Sequence, residues 1–157
     1  TPRNIFSNKS ILIIGLGNIG TRVYNKMSVF TNKIYTYDIL KNTELPDYSQ
    51  ADIITLHIPY TIENKNFINK KNLSTFKSGA TLINTARGPL VNEEDLYEHL
   101  INTNSTAAFD AYWQEPYNGK LRELPSNKFF MTPHIASSSK EFVESCFNDF
   151  KQLYESN

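Results

Sequence analysis

Short apolar runs recur along the chain, and longer segments with helical periodicity separate them. Six of these runs predict β-strands, at 11–14, 34–37, 53–56, 81–83, 106–109 and 129–131. Several are continuously apolar, which is typical of parallel strands that are covered on both faces. The alternation of strands with helical segments therefore predicts an α/β fold, with a doubly wound, mostly parallel sheet and helices on both faces.

The spacing of apolar residues between and after the strands predicts four helices, over 21–30, 67–76, 93–101 and 138–153. The apolar side of the first helix ends at Phe30. Gly79 marks the turn after the second helix, and Asn92 is a typical N-cap for the third. A capping box at 138–141 opens the fourth. The polar segment 40–50 is predicted to be a loop.

The composition fits one globular domain. The 157 residues are 39% hydrophobic and 13% aromatic, which suffices for a core. Lys plus Arg and Asp plus Glu number 16 each, so no basic excess indicates nucleic acid or a membrane as a partner. The apolar runs are too short to span a bilayer. The single Cys146 favours a reducing, cytoplasmic location, and no residue spacing predicts a metal site. Because the chain begins with Thr1, we expect a fragment or a processed product.

A glycine-rich turn with the sequence GLGNIG, at 15–20, follows the first strand and opens the first helix. We predict that Gly15 permits the tight turn, that Gly17 lets the backbone approach a pyrophosphate, and that Gly20 packs the helix closely on the sheet. The amides at the helix N-terminus would bind the phosphates. A glycine turn alone can serve packing only, but the strand and helix around this one favour a Rossmann-type dinucleotide site.

Asp38 closes the second strand and follows Gly20 by 18 residues. This is near the spacing of about 20 residues at which an acidic residue binds the ribose hydroxyls in Rossmann folds. A carboxylate there would repel a 2′-phosphate, so Asp38 favours NAD over NADP. The nearby Lys41 weakens that preference.

Three residues suited to carboxylate and ketone chemistry each follow a predicted strand. Arg87 can bind a small carboxylate bidentately, and His134 is the natural proton donor to a developing alkoxide. Glu115, bonded to the other ring nitrogen, would orient that imidazole. The structural alternatives are a surface arginine and a histidine satisfied within the fold, and the positions beyond strand ends favour the functional reading.

For several other residues, both a functional and a structural role are possible from the sequence. Asp110 ends the fifth strand and could contact the nicotinamide or simply form a turn. For His57 we favour structural support near the adenine side over catalysis. We expect His99 to be exposed in mid-helix, and Trp113 and the tyrosines near it to pack rather than line the site.

At these residues the chain resembles the NAD-dependent D-isomer-specific 2-hydroxyacid dehydrogenases. The matching stretches are 10–20, 51–61, 79–94, 107–116 and 131–136. The resemblance implies that Arg87 holds the substrate carboxylate and carbonyl, that His134 is the acid/base, and that Glu115 tunes it. It also implies that Asp110 contacts the nicotinamide. Further cofactor contacts are assigned within the same motifs, to Asn18, Ile19, His57, Pro59, Thr85, Ala86 and Ala136.

The chain also departs from the family pattern. Only 19 residues separate Asp38 from His57, so a strand and helix usual in the family look trimmed. Tyr60 stands where the family often has Leu, and Asn64 where it often has Thr. Members are two-domain enzymes, and we expect residues 1–157 to be the NAD-binding domain alone, without the substrate domain.

The resemblance implies hydride transfer between NAD(H) and a 2-keto acid/D-2-hydroxy acid pair, with lactate, phosphoglycerate and glyoxylate types all open. It also implies a homodimer, because members usually dimerise through this domain. The alternative is an NAD(H)-sensing, co-repressor-like interaction module without physiological turnover. Retention of the arginine, glutamate and histidine together favours the enzyme.

Overall fold

The computed structural model describes residues 6–41 and 46–135, together with 139 and 144. Six strands form one sheet: β1 Ile11–Ile14, β2 Ile34–Tyr37, β3 Ile53–Leu56, β4 Thr81–Asn84, β5 Thr106–Phe109 and β6 Phe129–Met131. The strand order is β2-β1-β3-β4-β5-β6, and all five pairings are parallel. The predicted doubly wound α/β fold is confirmed, with strand bounds that differ from the prediction only by the addition of Asn84.

Within the described residues, three α-helices connect the strands: α1 Asn18–Met27, α2 Lys70–Leu73 and α3 Glu93–Asn102. The chain leaves β1 for β2 and then crosses back to β3 on the other side of β1. Because such crossovers are right-handed, this reversal places α1 on one face of the sheet and α2 and α3 on the other. It also opens a crevice between the carboxyl ends of β1 and β3, where ligands bind in this kind of fold.

The core explains why the central strands are continuously apolar. All four residues of β1 are buried, because neighbours pair on both edges and helices cover both faces. The edge strand β2 buries only Tyr37 fully. Among the described residues between Asp38 and β3 there is neither a helix nor a further strand, which agrees with the expected trimming. The described residues also hold no helix long and apolar enough to cross a membrane.

Two helix predictions need correction. Helix α1 begins and ends three residues earlier than predicted, because Gly17 is its N-cap, and Phe30 lies beyond it with 56% of its surface exposed. Helix α2 is far shorter than 67–76. Ile68 forms an isolated parallel bridge with Val91, so the helix cannot begin before the capping box at Asn69.

The third helix is confirmed, with Asn92 as its cap, but His99 is not exposed as predicted. Its ring is half-buried and meets Phe76 edge-on at 5.8 Å between centroids. Position 99 falls three residues after the buried Leu96, on the same side of the helix. Burial lowers the pKa of the His99 imidazole, with a smaller effect from the Lys128 charge. The fourth predicted helix, apart from residues 139 and 144, lies outside the described residues, as does Cys146.

Candidate active site

The glycine turn begins directly at the end of β1. Gly15 has φ +95°, a conformation that residues with a Cβ rarely adopt, and its amide donates to the carbonyl of Tyr37 at 2.7 Å. A Cβ at Gly15 would lie 2.6 Å from the carbonyl oxygen of His57. The turn is therefore wedged between the ends of β2 and β3, as a tight turn at the crevice requires.

The other two glycines differ in their surroundings. A Cβ at Gly20 would lie 1.8 Å from the carbonyl oxygen of Gly15, so only glycine lets α1 pack this closely. A Cβ at Gly17 would meet no atom within 4 Å, and no side chain caps the first turn of α1. The amides at this helix end, which begins with Asn18 and Ile19, suit an anion such as a pyrophosphate.

Asp38 follows β2 beside the glycine turn. Its Oδ1 accepts from the amide of Leu40 at 3.0 Å, and its Oδ2 lies 3.6 Å from Nζ of Lys41. The Asp38 side chain is only 14% exposed, whereas Lys41 is 76% exposed. The carboxylate is thus held beside the glycine turn by these two contacts, and the predicted influence of Lys41 takes the form of an ion pair.

A cavity of about 460 Å³ lies along the crevice at the carboxyl ends of the strands. It brings together six predicted site residues: Ile19, His57, Pro59, Thr85, Ala86 and Arg87. It is also lined by Ile58 and Tyr60, which sequence reasoning did not assign to the site. Their position directly after β3, within the stretch from His57 to Tyr60, was the available signal.

His57 directly follows β3 and contacts a residue of that strand. Its Nε2 lies 3.0 Å from Oγ1 of Thr55, and burial lowers the pKa of the imidazole. A half-buried ring tied to Thr55 fits structural support for the cavity wall, while the location of His57 near the adenine side stays a prediction.

The arginine turn is organised by a buried amide that the sequence reasoning did not select. Asn84 is completely buried, and its side chain donates to the carbonyl of Arg87 at 2.8 Å and accepts from the amide of Ala86 at 3.0 Å. The guanidinium of Arg87 donates to the carbonyl of Ala86 and is exposed in the cavity. The only sequence signal for Asn84 was a polar residue directly after the predicted strand 81–83.

Glu115 and His134 are in direct contact. Oε1 of Glu115 lies 2.7 Å from Nδ1 of His134, and the same oxygen lies 3.4 Å from the amide of Tyr112. Both side chains are partly open to solvent, at 44% and 38% exposure. They line a second cavity of about 370 Å³, with Tyr112, Tyr117, Arg122 and Thr132.

Arg87 and His134 line different cavities, but backbone packing links them. A Cβ at Gly88 would lie 2.2 Å from the carbonyl carbon of Tyr112, so the arginine turn rests on the segment that leads to Glu115. Trp113 adds a bond from Nε1 to the carbonyl of Val91 at 2.7 Å. This tryptophan packs, as predicted, whereas Tyr112 and Tyr117 both pack and line the second cavity.

Asp110 directly follows β5, between the arginine turn after β4 and the histidine segment after β6, and is 5% exposed. Its Oδ1 accepts from Oγ1 of Thr132 at 2.5 Å and from the amide of Ile135 at 3.1 Å. The turn-forming reading has direct support here, and the nicotinamide contact stays a prediction. Ala136 lies outside the described residues. Within the described residues, no group of three or more His, Cys, Asp or Glu side chains could hold a metal ion.

Comparisons with known proteins agree with this geometry. A family model described as "D-isomer specific 2-hydroxyacid dehydrogenase, NAD binding domain" matches residues 2–136. The hydroxypyruvate reductase of Thermotoga maritima is 34% identical over 145 residues, which cover 85% of this chain and 47% of that protein. The glycerate dehydrogenase of Methylorubrum extorquens is 37% identical over 141 residues, which cover 84% and 44%.

Comparison with solved structures also finds an NAD-dependent dehydrogenase. An NAD-dependent formate dehydrogenase from Staphylococcus aureus, in complex with NAD, superimposes with a TM-score of 0.82 at 28% identity and covers 96% of this chain and 49% of that one. This chain spans about half the length of the curated relatives that it matches. The relatives named here are enzymes, and nothing in the comparisons favours the co-repressor-like alternative. The chain belongs to the D-isomer-specific 2-hydroxyacid dehydrogenase family and matches its NAD-binding domain.

Proposed function

We propose that this chain is the NAD-binding part of an enzyme that interconverts a small 2-keto acid and the corresponding D-2-hydroxy acid. The observation that carries the proposal is the 2.7 Å contact between Glu115 and His134, beyond the ends of two adjacent strands. An imidazole with one nitrogen on a carboxylate and with access to a cavity is the arrangement that acid/base catalysis needs.

The residues around the crevice fit NAD. The bare helix end at Gly17 would hold the pyrophosphate, and Asp38 would bind the ribose hydroxyls. The cavity wall formed by His57, Pro59, Thr85 and Ala86 would hold part of the cofactor. When bound, the nicotinamide supplies or accepts the hydride, and the protein contributes placement and electrostatics.

Arg87 would bind the substrate carboxylate. Its guanidinium is exposed at the carboxyl end of the sheet, and the fork of N–H donors matches a carboxylate bidentately. The bonds from Asn84 fix the turn that carries it, so a substrate would meet a pre-organised cation.

His134 would move the proton. With Nδ1–H donated to Glu115, a protonated ring presents Nε2–H to the carbonyl oxygen of the keto acid during reduction. In the oxidation direction, the neutral ring takes the hydroxyl proton at Nε2. Glu115 keeps the same hydrogen bond in both states and so holds the ring in one orientation.

A substrate domain would complete the site. The chain spans about half of its relatives, and the cavity walls described above leave both His134 and Arg87 open to solvent. A second domain would exclude water and select the substrate side chain. The name of the Thermotoga maritima relative, hydroxypyruvate reductase, makes hydroxypyruvate the first candidate to test.

The test is NADH consumption with a panel of small 2-keto acids, including hydroxypyruvate, glyoxylate and pyruvate, in the protein joined to a substrate domain. We expect turnover that is lost in His134→Ala with NADH binding intact, and that yields the D-isomer from hydroxypyruvate or pyruvate, whose products are chiral. Failure of the whole panel despite NADH binding would contradict the proposed reaction. A rate in this chain alone that a substrate domain does not increase would contradict the two-domain requirement.

The proposal includes a homodimer in the cytoplasm. Support comes from the family resemblance for the dimer and from the lone Cys146 for a reducing compartment. Light scattering of the purified protein tests the first point, with twice the mass of one chain as the expected result. Imaging of a tagged form in its host cells tests the second.

A further inference from the structure

The backbone of His134 is in the left-handed region, with φ +55°. Among the described residues only Asn66 shares this conformation without being a glycine. A residue with a Cβ is uncommon there, and the conformation persists where the surroundings hold it. His134 therefore needs bonds on both sides to keep its ring against Glu115.

Asp110 supplies bonds on both sides of His134. Its Oδ1 accepts from the hydroxyl of Thr132, two residues before, and from the amide of Ile135, one residue after. Both bonds converge on a single oxygen atom of a residue that is 5% exposed. Hydrogen bonds to a charged acceptor are stronger than neutral ones, so this pair forms a firm bracket.

The bracket rests on a rigid base. Asp110 directly follows β5, and its amide donates to the carbonyl of Asn84 at 3.1 Å. The strand pairing continues beyond β6, because the amide of Thr132 donates to the carbonyl of Phe109 at 3.1 Å. The acceptor oxygen is thus fixed to the sheet, and the histidine loop is fixed to the acceptor.

We propose that Asp110 is a positioning residue that holds His134 in its left-handed conformation and thereby sets the contact between His134 and Glu115. This role rests on the proposed function only for its use in catalysis, since the bracket itself concerns the fold of the loop. It is additional to the nicotinamide contact that the family resemblance implies. What matters is an acceptor oxygen at this position, held by the end of β5.

The test is NMR of the purified 157-residue chain and of four variants, without cofactor or substrate. The two readouts are hydrogen exchange of the Ile135 amide and the Nδ1–H signal of His134 in its bond to Glu115. Asp110→Ala removes the acceptor, Asp110→Asn keeps an oxygen that can accept both bonds, and Thr132→Val removes one donor. Asp52→Asn weakens the hydrogen bonds that Ser10 and Lys77 donate to a distant carboxylate, and it controls for a general loss of stability.

We expect Asp110→Ala to speed Ile135 exchange by about 10-fold or more and to weaken the His134 signal, because a bond to a charged acceptor is lost. Asp110→Asn should restore both readouts in part, because its amide oxygen can accept the same bonds but carries no charge. Thr132→Val should weaken the His134 signal while Asp52→Asn leaves it unchanged.

Three results would overturn the proposal: an unchanged His134 signal in Asp110→Ala, no rescue by Asp110→Asn, or equal loosening in Asp52→Asn. If Asp110→Ala does not fold, an unchanged signal in Thr132→Val overturns it as well. Because neither readout involves NADH or turnover, failure of the proposed function would leave these expectations standing, and the reverse also holds.

Discussion

Nδ1 of His134 lies 2.7 Å from Oε1 of Glu115, although 19 residues separate the two in the chain. The register explains the meeting, because Phe109 of β5 pairs with Met131 of β6 in a parallel ladder. Residues that follow adjacent parallel strands reach the same edge of the sheet. The proposed proton transfer depends on this contact more than on any other.

Removal of Glu115 should affect catalysis rather than cofactor binding. In the protein with its substrate domain, Glu115→Ala should lower kcat, and His134→Ala should lower it by roughly 10²–10⁴-fold, the usual contribution of a positioned acid/base. Glu115→Gln keeps an acceptor for Nδ1–H and should lose less than Glu115→Ala. Steady-state kinetics with a parallel NADH titration separates the effects, and a loss confined to NADH affinity would contradict the assignment.

Substitution by alanine should affect stability at Gly20 and NADH binding at Gly17. Gly20→Ala would place a Cβ 1.8 Å from a backbone oxygen and should destabilise the fold by roughly 1–3 kcal/mol, although alanine is the better helix former. Gly17→Ala meets no atom and should cost at most about 1 kcal/mol, while NADH binding weakens. Urea unfolding and NADH titration of both variants check this, and equal losses of stability would count against the roles given to them.

Acid should destabilise the fold through Asp52. Burial raises the pKa of this carboxyl, but hydrogen bonds from Ser10 and Lys77 and the Lys77 charge outweigh it and hold the pKa well below its usual value. A depressed folded-state pKa stabilises the protein above the unfolded value of about 3.9, and this stabilisation is lost as pH falls below it. The difference between the urea midpoints at pH 7 and pH 3 should therefore be smaller in Asp52→Asn than in the unmutated chain. An unchanged pH dependence in that variant would show that other groups carry the effect.

Two buried tyrosines offer a matched pair. The hydroxyl of Tyr48 has no hydrogen-bond partner among the described residues, and burial, with a smaller effect from Tyr37, raises its pKa. The hydroxyl oxygen of Tyr112 lies 2.9 Å from the carbonyl oxygen of Phe109 and 2.7 Å from that of Thr132, and its one proton is donated to this pair of acceptors. Tyr48→Phe should be neutral or stabilising, whereas Tyr112→Phe should cost about 1–3 kcal/mol. Thermal unfolding midpoints of the two variants test this. A larger loss of stability in Tyr48→Phe than in Tyr112→Phe would contradict the hydrogen bonding described.

The strands could be predicted from the sequence because their signal is local. The continuous run at 11–14 and the glycine turn after it are sufficient to predict β1 and the crevice. Helix α2 could not be predicted in the same way. The bridge between Ile68 and Val91 joins residues 23 apart, and such pairing takes the chain before Asn69 out of the helix that its own apolar pattern favours.

In the candidate site, too, local signals could be recognised in the sequence, whereas contacts between distant segments could not. Arg87, Glu115 and His134 could be chosen because their chemistry and their places after strands are visible in the sequence. Asn84 and the bracket formed by Asp110 could not, because buried polar residues acquire their partners only when two loops meet. The contact of Gly88 with Tyr112 is equally a product of the fold.

The most direct test of the central claim is a fluorescence titration of the purified chain with NADH and, in parallel, with NADPH. We expect saturable NADH binding that is much tighter than NADPH binding and is weakened by Gly17→Ala, because Asp38 repels a 2′-phosphate and Gly17 leaves room for the pyrophosphate. Equal binding of both nucleotides would remove the role of Asp38. No binding of either would contradict the claim that this chain holds the cofactor.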